Sequence, residues 1–382
     1  MANDAGQPIH LLLVTTTLAR GGAEAMAVQL ARSLDPAVVQ PVMVCLKEPG
    51  PGADALADGS VAVHAGQLKH KFDVLAVGRL SRLIQRYAPA CVMAVGDGGD
   101  RMFWSTLAAR RMGVPMVVWS HICPRPGHST FEWLNRRLYR LVDVFVALGQ
   151  RHREALTAVE GIPANRLQVI RNGIGVAAFE GADRRAEARQ ILNAARPGTV
   201  AVGMVANLRA DKRHDLFVAA AVKVRAVRPD CRFVIVGDGP ERPAVERMVA
   251  AHDPAGEFIT MLGERDDMVT LMQGLDIVCL TSEWQECLSV AMLEAMAAGK
   301  AFVAPRIGSL GEALIDGMTG RFFDPLTAGA LADLLVELID RPDERTLLGE
   351  RARAKVRAEF TAERMARDFE SLVTSLYKRR YG

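Results

Sequence analysis

Residues 283–300, with the sequence EWQECLSVAMLEAMAAGK, predict a loop that passes into a short helix. Ser289 is a side chain favoured at helix N-caps, and Val290–Ala298 after it is rich in strong helix formers. Gly299 then gives a C-terminal stop, and Pro305 follows a few residues later. The sequence therefore predicts a helix whose N-terminus follows directly on a polar loop.

Glu286 and Glu294 lie on either side of this predicted helix start. Two side chains eight positions apart on one helix would point about 80° away from each other. We therefore expect Glu286 in the loop and Glu294 inside the helix. The helix N-terminus between them presents N–H groups and a partial positive charge, which suit a phosphate. The pattern fits a nucleotide sugar, although a solvated helix position remains an alternative interpretation of Glu294.

Composition indicates a globular chain of two domains. The 382 residues are half apolar and 24% charged, and the net charge of +3 does not imply a nucleic-acid partner. Six scattered cysteines without a C-x-x-C pair argue against a zinc site or a disulfide framework and favour a reducing cytoplasm. Met1–Pro8 lacks signal-peptide features, and no apolar run reaches membrane-spanning length. We expect a soluble protein, or one attached to a membrane only at its surface.

Positive charge is concentrated in residues 67–140. Twelve Lys and Arg stand there against four acidic residues, which gives a local net charge of +8. At the C-terminal end of this segment, Phe131–Leu141 interleaves aromatic residues and arginines at helical spacing. One interpretation is a surface helix whose apolar side packs on the core, and the other is a basic face that lies on anionic lipid. Peripheral contact with the inner face of the plasma membrane through residues 67–140 is therefore a hypothesis.

The N-terminal half begins with a pattern typical of a parallel α/β sheet. Ile9–Thr16 is an apolar run that predicts a buried strand, and a helix is predicted over Ala25–Ser33. Between them, Gly21 and Gly22 would let the backbone approach an anion closely. The turn lacks the residues of a P-loop, and a tight strand-to-helix connection explains it equally well.

Alternating strands and helices continue to about residue 175 and predict a doubly wound parallel sheet. Ligands of such sheets bind at the carboxyl ends of the strands. His121 follows the strand at Met116–Trp119 at such a position and is therefore a candidate substrate contact. A loop histidine that is satisfied by local hydrogen bonds is the alternative.

A second series of strands and helices begins at Val200–Val205. Arg209 and Lys212 follow the end of this strand three residues apart, so both could reach one diphosphate. Gly237 opens the turn Gly237-Asp238-Gly239, but the spacing then departs from a dinucleotide fingerprint. The second half of the chain is therefore predicted to be another Rossmann-like domain that binds a nucleoside diphosphate.

Taken together, these motifs resemble those of the retaining glycosyltransferases of family 4 over nearly the full chain. The similarity rests on six motifs: Gly21-Gly22-Ala23-Glu24, Arg171-Asn172-Gly173, Asn207-Leu208-Arg209-x-x-Lys212, Val236-Gly237-Asp238-Gly239-Pro240, Glu286-x7-Glu294 with Ala295–Lys300, and Gly308–Glu312 with Thr319-Gly320.

The resemblance implies a GT-B fold, in which two Rossmann-like domains with doubly wound parallel sheets face each other across a cleft. The N-terminal, acceptor-binding domain would span residues 1–175 and the C-terminal, nucleotide-sugar-binding domain residues 176–360. The C-terminal helix at 361–382 would pack back on the first domain. The resemblance also implies retention of configuration and catalysis without a cofactor or bound metal.

Roles for individual residues are also implied by the resemblance. Arg209 and Lys212 would neutralise the departing diphosphate, and Glu294 would hold the ribose hydroxyls. Glu286 would contact the donor sugar, and His121 would face that sugar from the acceptor side. The remaining residues would bind the donor through backbone groups or close approach: Gly21, Gly22, Gly237, Cys287, Leu288, Ser289 and Val290.

The leading hypothesis is a cytoplasmic hexosyltransferase that moves a sugar from a nucleotide donor to an acceptor. The charge of residues 67–140 suggests a lipid-linked or polysaccharide acceptor of the cell envelope. Two alternatives remain open from the sequence: a nucleotide-sugar epimerase of the same fold, and a catalytically silent protein that binds nucleotide sugars.

Overall fold

The computed structural model describes residues 8–19, 21–124, 132–181, 183–284 and 286–381. The chain divides into two compact units. Met1–Ile174 and Thr361–Gly382 form the first unit, and Gly175–Phe360 form the second. The boundary expected from the sequence, after residue 175, lies one residue from this division.

The first unit is built on a parallel sheet that has seven strands within the described residues, in the order β3-β2-β1-β4-β5-β6-β7. The interior strand β1 contains Leu11–Val14, which is fully buried, as expected for a strand covered on both faces. The strand order reverses between β1 and β4, which places a ligand-binding crevice at the carboxyl ends of those strands. The strands are β1 Ile9–Thr15, β2 Val39–Cys45, β3 Ala62–His64, β4 Cys91–Val95, β5 Met116–Trp119, β6 Val144–Ala147 and β7 Leu167–Val169.

Helices connect these strands, and they are α1 Gly22–Ser33, α2 Leu75–Tyr87, α3 Gly99–Arg111, α4 Glu132–Tyr139 and α5 Gln150–Glu160. α4 falls within the segment for which the sequence left two interpretations. Leu138 is buried in the core of the unit, whereas Arg136 and Arg137 are exposed. This arrangement fits a surface helix with its apolar side on the core. Phe131 lies outside the described residues.

The second unit repeats the architecture with a parallel sheet of six described strands, in the order β10-β9-β8-β11-β12-β13. Its strand order reverses between β8 and β11, so a second crevice is expected at their carboxyl ends. The strands are β8 Val200–Val205, β9 Cys231–Val236, β10 Ile259–Gly263, β11 Ile277–Cys279, β12 Ala301–Pro305 and β13 Arg321–Phe323.

The helices of this unit are α6 Arg185–Ile191, α7 His214–Val227, α8 Arg242–His252, α9 Met268–Gly274, α10 Val290–Ala297, α11 Ala328–Asp340 and α12 Pro342–Glu359. α10 and α12 pack on each other and on β12. Gly349 is required at this contact, because a Cβ there would lie 2.0 Å from the carbonyl oxygen of Gly299. Close packing by α12 therefore fixes the C-terminal end of α10.

The last helix, α13 Ala362–Tyr381, returns to the first unit and packs on α1 and β1. Phe369 on α13 is buried against Trp119 of β5, with ring centroids 4.7 Å apart. The chain crosses back beside Gly173, where a Cβ would lie 2.0 Å from the carbonyl oxygen of Thr361. The glycine of the Arg171-Asn172-Gly173 motif thus permits the close approach of two backbone segments.

All six cysteines are buried, and none forms a disulfide. Among the described helices, none is both long enough and apolar enough to cross a bilayer.

Candidate active site

The N-terminus of α10 is organised as the sequence predicts. Ser289 is the N-cap, and its Oγ accepts a hydrogen bond from the backbone N–H of Met292 at 3.2 Å. Gly299 follows the helix with φ of 69°, which is the left-handed conformation that suits a glycine at a helix end. Cys287 and Leu288 before the cap are buried, so the backbone leading into α10 is held by packing. The helix therefore begins at a defined position beside the polar loop.

Glu286 lies in that loop and forms an ion pair with Lys212, with both side chains largely buried. Ser282 Oγ donates a second hydrogen bond to the same carboxylate oxygen, at 2.5 Å. The backbone is fixed as well, because the N–H of Ser309 donates to the carbonyl of Glu286 at 2.8 Å. Gly308 allows this approach, since a Cβ there would lie 2.0 Å from the carbonyl oxygen of Glu286. The carboxylate of Glu286 is thus held in one place beside a cation.

Lys212 is positioned through its backbone. It ends the short 3₁₀ turn Ala210–Lys212, and the buried hydroxyl of Thr281 donates to its carbonyl oxygen at 2.7 Å. The same hydroxyl lies 3.1 Å from the carbonyl oxygen of Arg213, a non-glycine residue with φ of 52°. This strained backbone turns the chain sharply from Lys212 into α7. Thr281, two residues after β11, therefore ties the Lys212 turn to the segment that follows the neighbouring strand.

Arg209 has a different environment from Lys212. Its guanidinium is about half exposed and makes two hydrogen bonds to the carboxylate of Asp211, at 2.8 and 2.6 Å. The sequence did not predict this local pair. Hydrogen bonding to Asp211 raises the pKa of Arg209 further above its usual value, so the side chain stays cationic. The exposed guanidinium of Arg209 can bind an anionic ligand if that ligand replaces the carboxylate of Asp211 as its hydrogen-bond acceptor.

Glu294 lies in the second turn of α10 and is partly buried. Among the described residues, none forms a hydrogen bond or an ion pair with its carboxylate. Burial without a compensating donor raises the pKa of Glu294 to about 7. The side chain is a desolvated acceptor, which suits it to hydroxyl donors from a ligand.

Gly237 and Gly239 have φ of 136° and 158° and lie against the segment that precedes Arg209. A Cβ on Gly237 would lie 2.1 Å from the carbonyl oxygen of Ala206, and one on Gly239 would lie 2.5 Å from that of Leu208. These contacts explain the glycines by close backbone packing. The expectation that Gly237 also contacts a donor stays a prediction.

In the first unit, Gly21 lies between β1 and α1, and the helix begins at Gly22, three residues before the start at Ala25 that the sequence predicts. Gly21 is the N-cap of α1 in an extended conformation. The carboxylate of Glu24 in the first turn lies 3.8 Å from Arg101 of α3. The turn therefore stands at the carboxyl edge of the sheet with a charged pair beside it.

His121 follows β5 at the same edge, as the sequence predicts. Its ring lies on Trp119, with centroids 4.6 Å apart, and its Nε2 is buried without a hydrogen-bond partner among the described residues. Burial, reinforced by the charge of Arg101, lowers the pKa of His121 to about 3. The imidazole is therefore neutral at physiological pH.

Asp97, Ser120 and His152 form a buried network beside His121 that sequence reasoning missed. Ser120 Oγ donates to Asp97 Oδ2. His152 Nδ1 accepts from the backbone of Leu148 at 3.1 Å, so its Nε2 carries the proton and lies 3.2 Å from Ser120 Oγ. The sequence signal that could have found Asp97 was its position, because Asp97 lies two residues after the end of β4, just as His121 lies two residues after the end of β5.

The environment of Asp97 suits an acid-base group. Its Oδ1 is buried and has no partner among the described residues. Burial raises the pKa of Asp97 to about 7, although the hydrogen bond from Ser120 acts in the opposite direction and lowers it. The first unit thus presents a neutral imidazole and a carboxyl group that titrates near neutrality at one edge of its sheet.

Two family models match most of the chain between them. The model described as "Glycosyltransferase Family 4" matches residues 20–177, and that described as "Glycosyl transferases group 1" matches residues 185–355. Alpha-D-kanosaminyltransferase of Streptomyces kanamyceticus is 28% identical over 300 residues, which are 74% of this chain and 76% of that protein. Lipopolysaccharide 1,2-N-acetylglucosaminetransferase of Salmonella typhimurium is 28% identical over 221 residues, which are 55% and 57% of the two chains.

Among solved structures, Anabaena HepE in complex with UDP-glucose has a TM-score of 0.84 at 20% sequence identity. The match covers 96% of this chain and all of the Anabaena chain. At this level of identity the likeness establishes the fold. The two parallel α/β units are those of a GT-B protein.

Proposed function

Because the chain belongs to the group 1 glycosyltransferases, we propose that it moves a hexosyl group from a nucleoside-diphosphate sugar to an acceptor hydroxyl with retention of configuration. One arrangement carries this proposal. Before the start of α10, Glu286 is paired with Lys212, and inside the helix Glu294 is a desolvated carboxylate for which the described part of the chain provides no hydrogen-bond or ion-pair partner. A cation and an unpaired acceptor on either side of a helix N-terminus match the phosphate and ribose of one donor.

Stabilisation of the leaving group is the main chemical task in this reaction. When the bond between the anomeric carbon and the diphosphate oxygen breaks, positive charge develops on the sugar and negative charge on the diphosphate. Lys212, Arg209 and the N-terminus of α10 would meet this negative charge. Since protein cations supply the stabilisation, we propose a reaction without a bound metal or cofactor.

Glu286 and Glu294 would bind the other two parts of the donor, the transferred sugar and the ribose. Glu294 would accept hydrogen bonds from the two ribose hydroxyls and gain the donors that its environment lacks. Glu286 would orient the sugar with the backbone N–H groups of Cys287–Val290, while it keeps Lys212 in place. We do not assign Glu286 as a covalent nucleophile.

The first unit would bind the acceptor. Asp97 and His121 follow strands at the edge of the sheet where substrates of such folds bind, and their buried Oδ1 and Nε2 atoms have no hydrogen-bond partner within the described ranges. His121 would contact the acceptor through its neutral ring, and Asp97 would receive or share the proton of the attacking hydroxyl.

UDP-glucose is the first donor to test, because HepE, which shares this fold, was crystallised with it. For the acceptor we propose a lipid-linked or polysaccharide glycan of the cell envelope. The Salmonella relative, a lipopolysaccharide N-acetylglucosaminetransferase, supports this choice, as does the positive charge of residues 67–140. The enzyme would then work at the cytoplasmic face of the membrane.

The test is a thermal-shift panel of UDP-, GDP- and ADP-sugars, followed by turnover measurements with the donor that stabilises most. We expect one nucleotide class to raise Tm and Glu294→Ala to abolish that rise. Glu350→Ala, at an exposed position of α12, is the matched control and should respond like the wild type. If no nucleotide stabilises the wild type, or if Glu294→Ala responds equally, the donor site is wrongly assigned.

A further inference from the structure

The loop segment Lys69–Leu75, which follows β3 and ends at the first residue of α2, exposes an unusual amount of apolar surface. Phe72, Val74 and Leu75 are 77%, 72% and 68% exposed, the three highest values among the large apolar side chains of the described residues. Single exposed apolar residues are common on protein surfaces, but three within four positions mark an interaction surface.

The loop is held in this conformation by a buried ion pair. Asp73 is 4% exposed and accepts hydrogen bonds from the backbone N–H of Lys69 at 2.9 Å and from Arg79 at 2.7 Å. Arg79 also donates to the carbonyl of Gln67 at 2.8 Å. Because the single carboxylate of the loop is anchored inward, Phe72 and its apolar neighbours are directed outward.

Positive charge flanks the apolar side chains. Lys69, His70 and Lys71 are all exposed, and the ammonium of Lys71 lies 5.9 Å from the ring centroid of Phe72. Since Asp73 is buried against Arg79, no acidic side chain of Lys69–Leu75 is exposed. An apolar tip between lysines is complementary to the headgroup region of an anionic bilayer.

We propose that Lys69–Leu75 is a membrane-docking loop. Phe72, Val74 and Leu75 enter the boundary between headgroups and acyl chains, and Lys69 and Lys71 contact anionic headgroups. A second copy of the chain fits this surface less well, because a two-fold contact would bring the same lysines face to face.

The position of the loop connects docking to catalysis. β3 runs parallel to β2, and β2 runs parallel to β1, so their carboxyl ends share one edge of the sheet. The loop leaves the carboxyl end of β3, and the Gly21-Gly22 turn and His121 follow strands at this same edge. Docking would therefore bring a lipid-linked acceptor to the edge that carries the acceptor residues. This last step rests on the proposed function, whereas membrane docking itself does not.

Vesicle co-sedimentation of the full-length protein tests the proposal. We expect binding to mixed phosphatidylcholine–phosphatidylserine vesicles at low salt and much weaker binding to phosphatidylcholine alone. The double variant Phe72→Ser/Leu75→Ser should lower the partition coefficient at least about tenfold. Lys69→Gln/Lys71→Gln should lower it roughly 25-fold on anionic vesicles only, about fivefold for each charge. Val227→Ser removes a 53% exposed apolar residue from the second unit and should change nothing.

A site-specific probe adds a second readout. All six native cysteines are buried, so Val74→Cys can be labelled selectively with an environment-sensitive fluorophore. We expect a blue shift when anionic vesicles are added. The proposal is overturned if the wild type does not bind vesicles, in which case an acidic protein partner is the better occupant. It is also overturned if the loop variants bind like Val227→Ser, or if the probe stays in water while the protein is bound.

Donor-induced thermal shifts, measured on the same variants, separate the two proposals. If the loop variants lose vesicle binding but keep the donor-induced rise in Tm, the loop acts in membrane binding and not in donor binding. Vesicle binding without any donor response would refute the proposed function and leave the docking loop standing.

Discussion

Glu294→Gln tests the electrostatic state of the donor site without any substrate. Burial raises the pKa of Glu294 from its usual 4.5 to about 7, so the folded protein retains this proton in a pH range where the unfolded chain releases it. The stability contribution is therefore favourable at low pH and is lost as the pH rises from about 4.5 to about 7. A rise of this size corresponds to about 3 kcal/mol.

Glutamine has nearly the shape of glutamate and does not titrate. We therefore expect the free energy of unfolding of Glu294→Gln, relative to the wild type, to increase by about 3 kcal/mol between pH 4.5 and pH 7.5. The cost of burying the glutamine amide does not depend on pH, so it cancels when the difference between variant and wild type is compared at two pH values. Urea unfolding at several pH values gives the difference, and hydrogen exchange of α10 peptides assigns it to the second unit.

Two further measurements complete this test. Glu350→Gln on α12 is the control, because that side chain is exposed. The free energy of unfolding of this variant should change with pH in the same way as that of the wild type. A saturating concentration of the donor should reduce the pH dependence of the wild-type free energy of unfolding, because ribose hydroxyls would stabilise the ionised carboxylate of Glu294. Parallel pH profiles for the wild type and Glu294→Gln would refute the conclusion that an unpaired, desolvated carboxylate lies at this position.

Three other substitutions probe the same site. Lys212→Met should lower kcat by roughly 100-fold or more in a turnover assay, because it removes a cation from the leaving group. Thr281→Val should lower kcat about tenfold with little change in donor Kd, since the carbonyl of Lys212 loses its 2.7 Å hydrogen bond, and Thr281→Ser should restore it. Ser289→Ala should lower the free energy of unfolding by about 1 kcal/mol and raise the donor KM, because the cap of α10 is lost.

Each substitution has a distinct contradicting result. Lys212→Met also leaves Glu286 unpaired, so Lys212→Met/Glu286→Gln should regain stability but not activity, and a return of activity would exclude Lys212 from catalysis. Equal kcat values for Thr281→Val and Thr281→Ser would show that its hydroxyl does not position the turn. An unchanged unfolding curve for Ser289→Ala would mean that the cap contributes nothing to α10.

Most of the fold could be predicted because its signals are local. Buried parallel strands such as Leu11–Val14 are continuous apolar runs, and Ser289 and Gly299 mark the two ends of α10 by their own conformational preferences. β13 was missed because it is three residues long and begins with Arg321. That arginine is held by Glu337 and Glu344 of α11 and α12, which no local pattern reveals.

The site was predictable in its residues but not in their pairing. Motif positions identified Lys212 and Glu286, yet the ion pair joins residues 74 positions apart and depends on how two loops follow adjacent strands. The Asp97–Ser120–His152 network escaped for the same reason, since each member is an unremarkable residue within its own segment. Periodicity reports which side chains are buried, whereas contacts between strand ends depend on the sheet order.

The two glutamates that flank α10 differ in what a donor would give them. Glu286 already has a cation and a hydroxyl donor, so its charge is balanced before any ligand arrives. Glu294 has neither a cation nor a hydroxyl donor from the residues that the structure describes, and it destabilises the fold when it ionises. A diphosphate would therefore compete with Glu286 for Lys212. A ribose would instead supply hydrogen-bond donors to Glu294 and so remove the destabilisation that its ionised carboxylate causes. Affinity at this site would come mainly from the nucleoside, which leaves Lys212 poised for the charge that appears when the diphosphate departs.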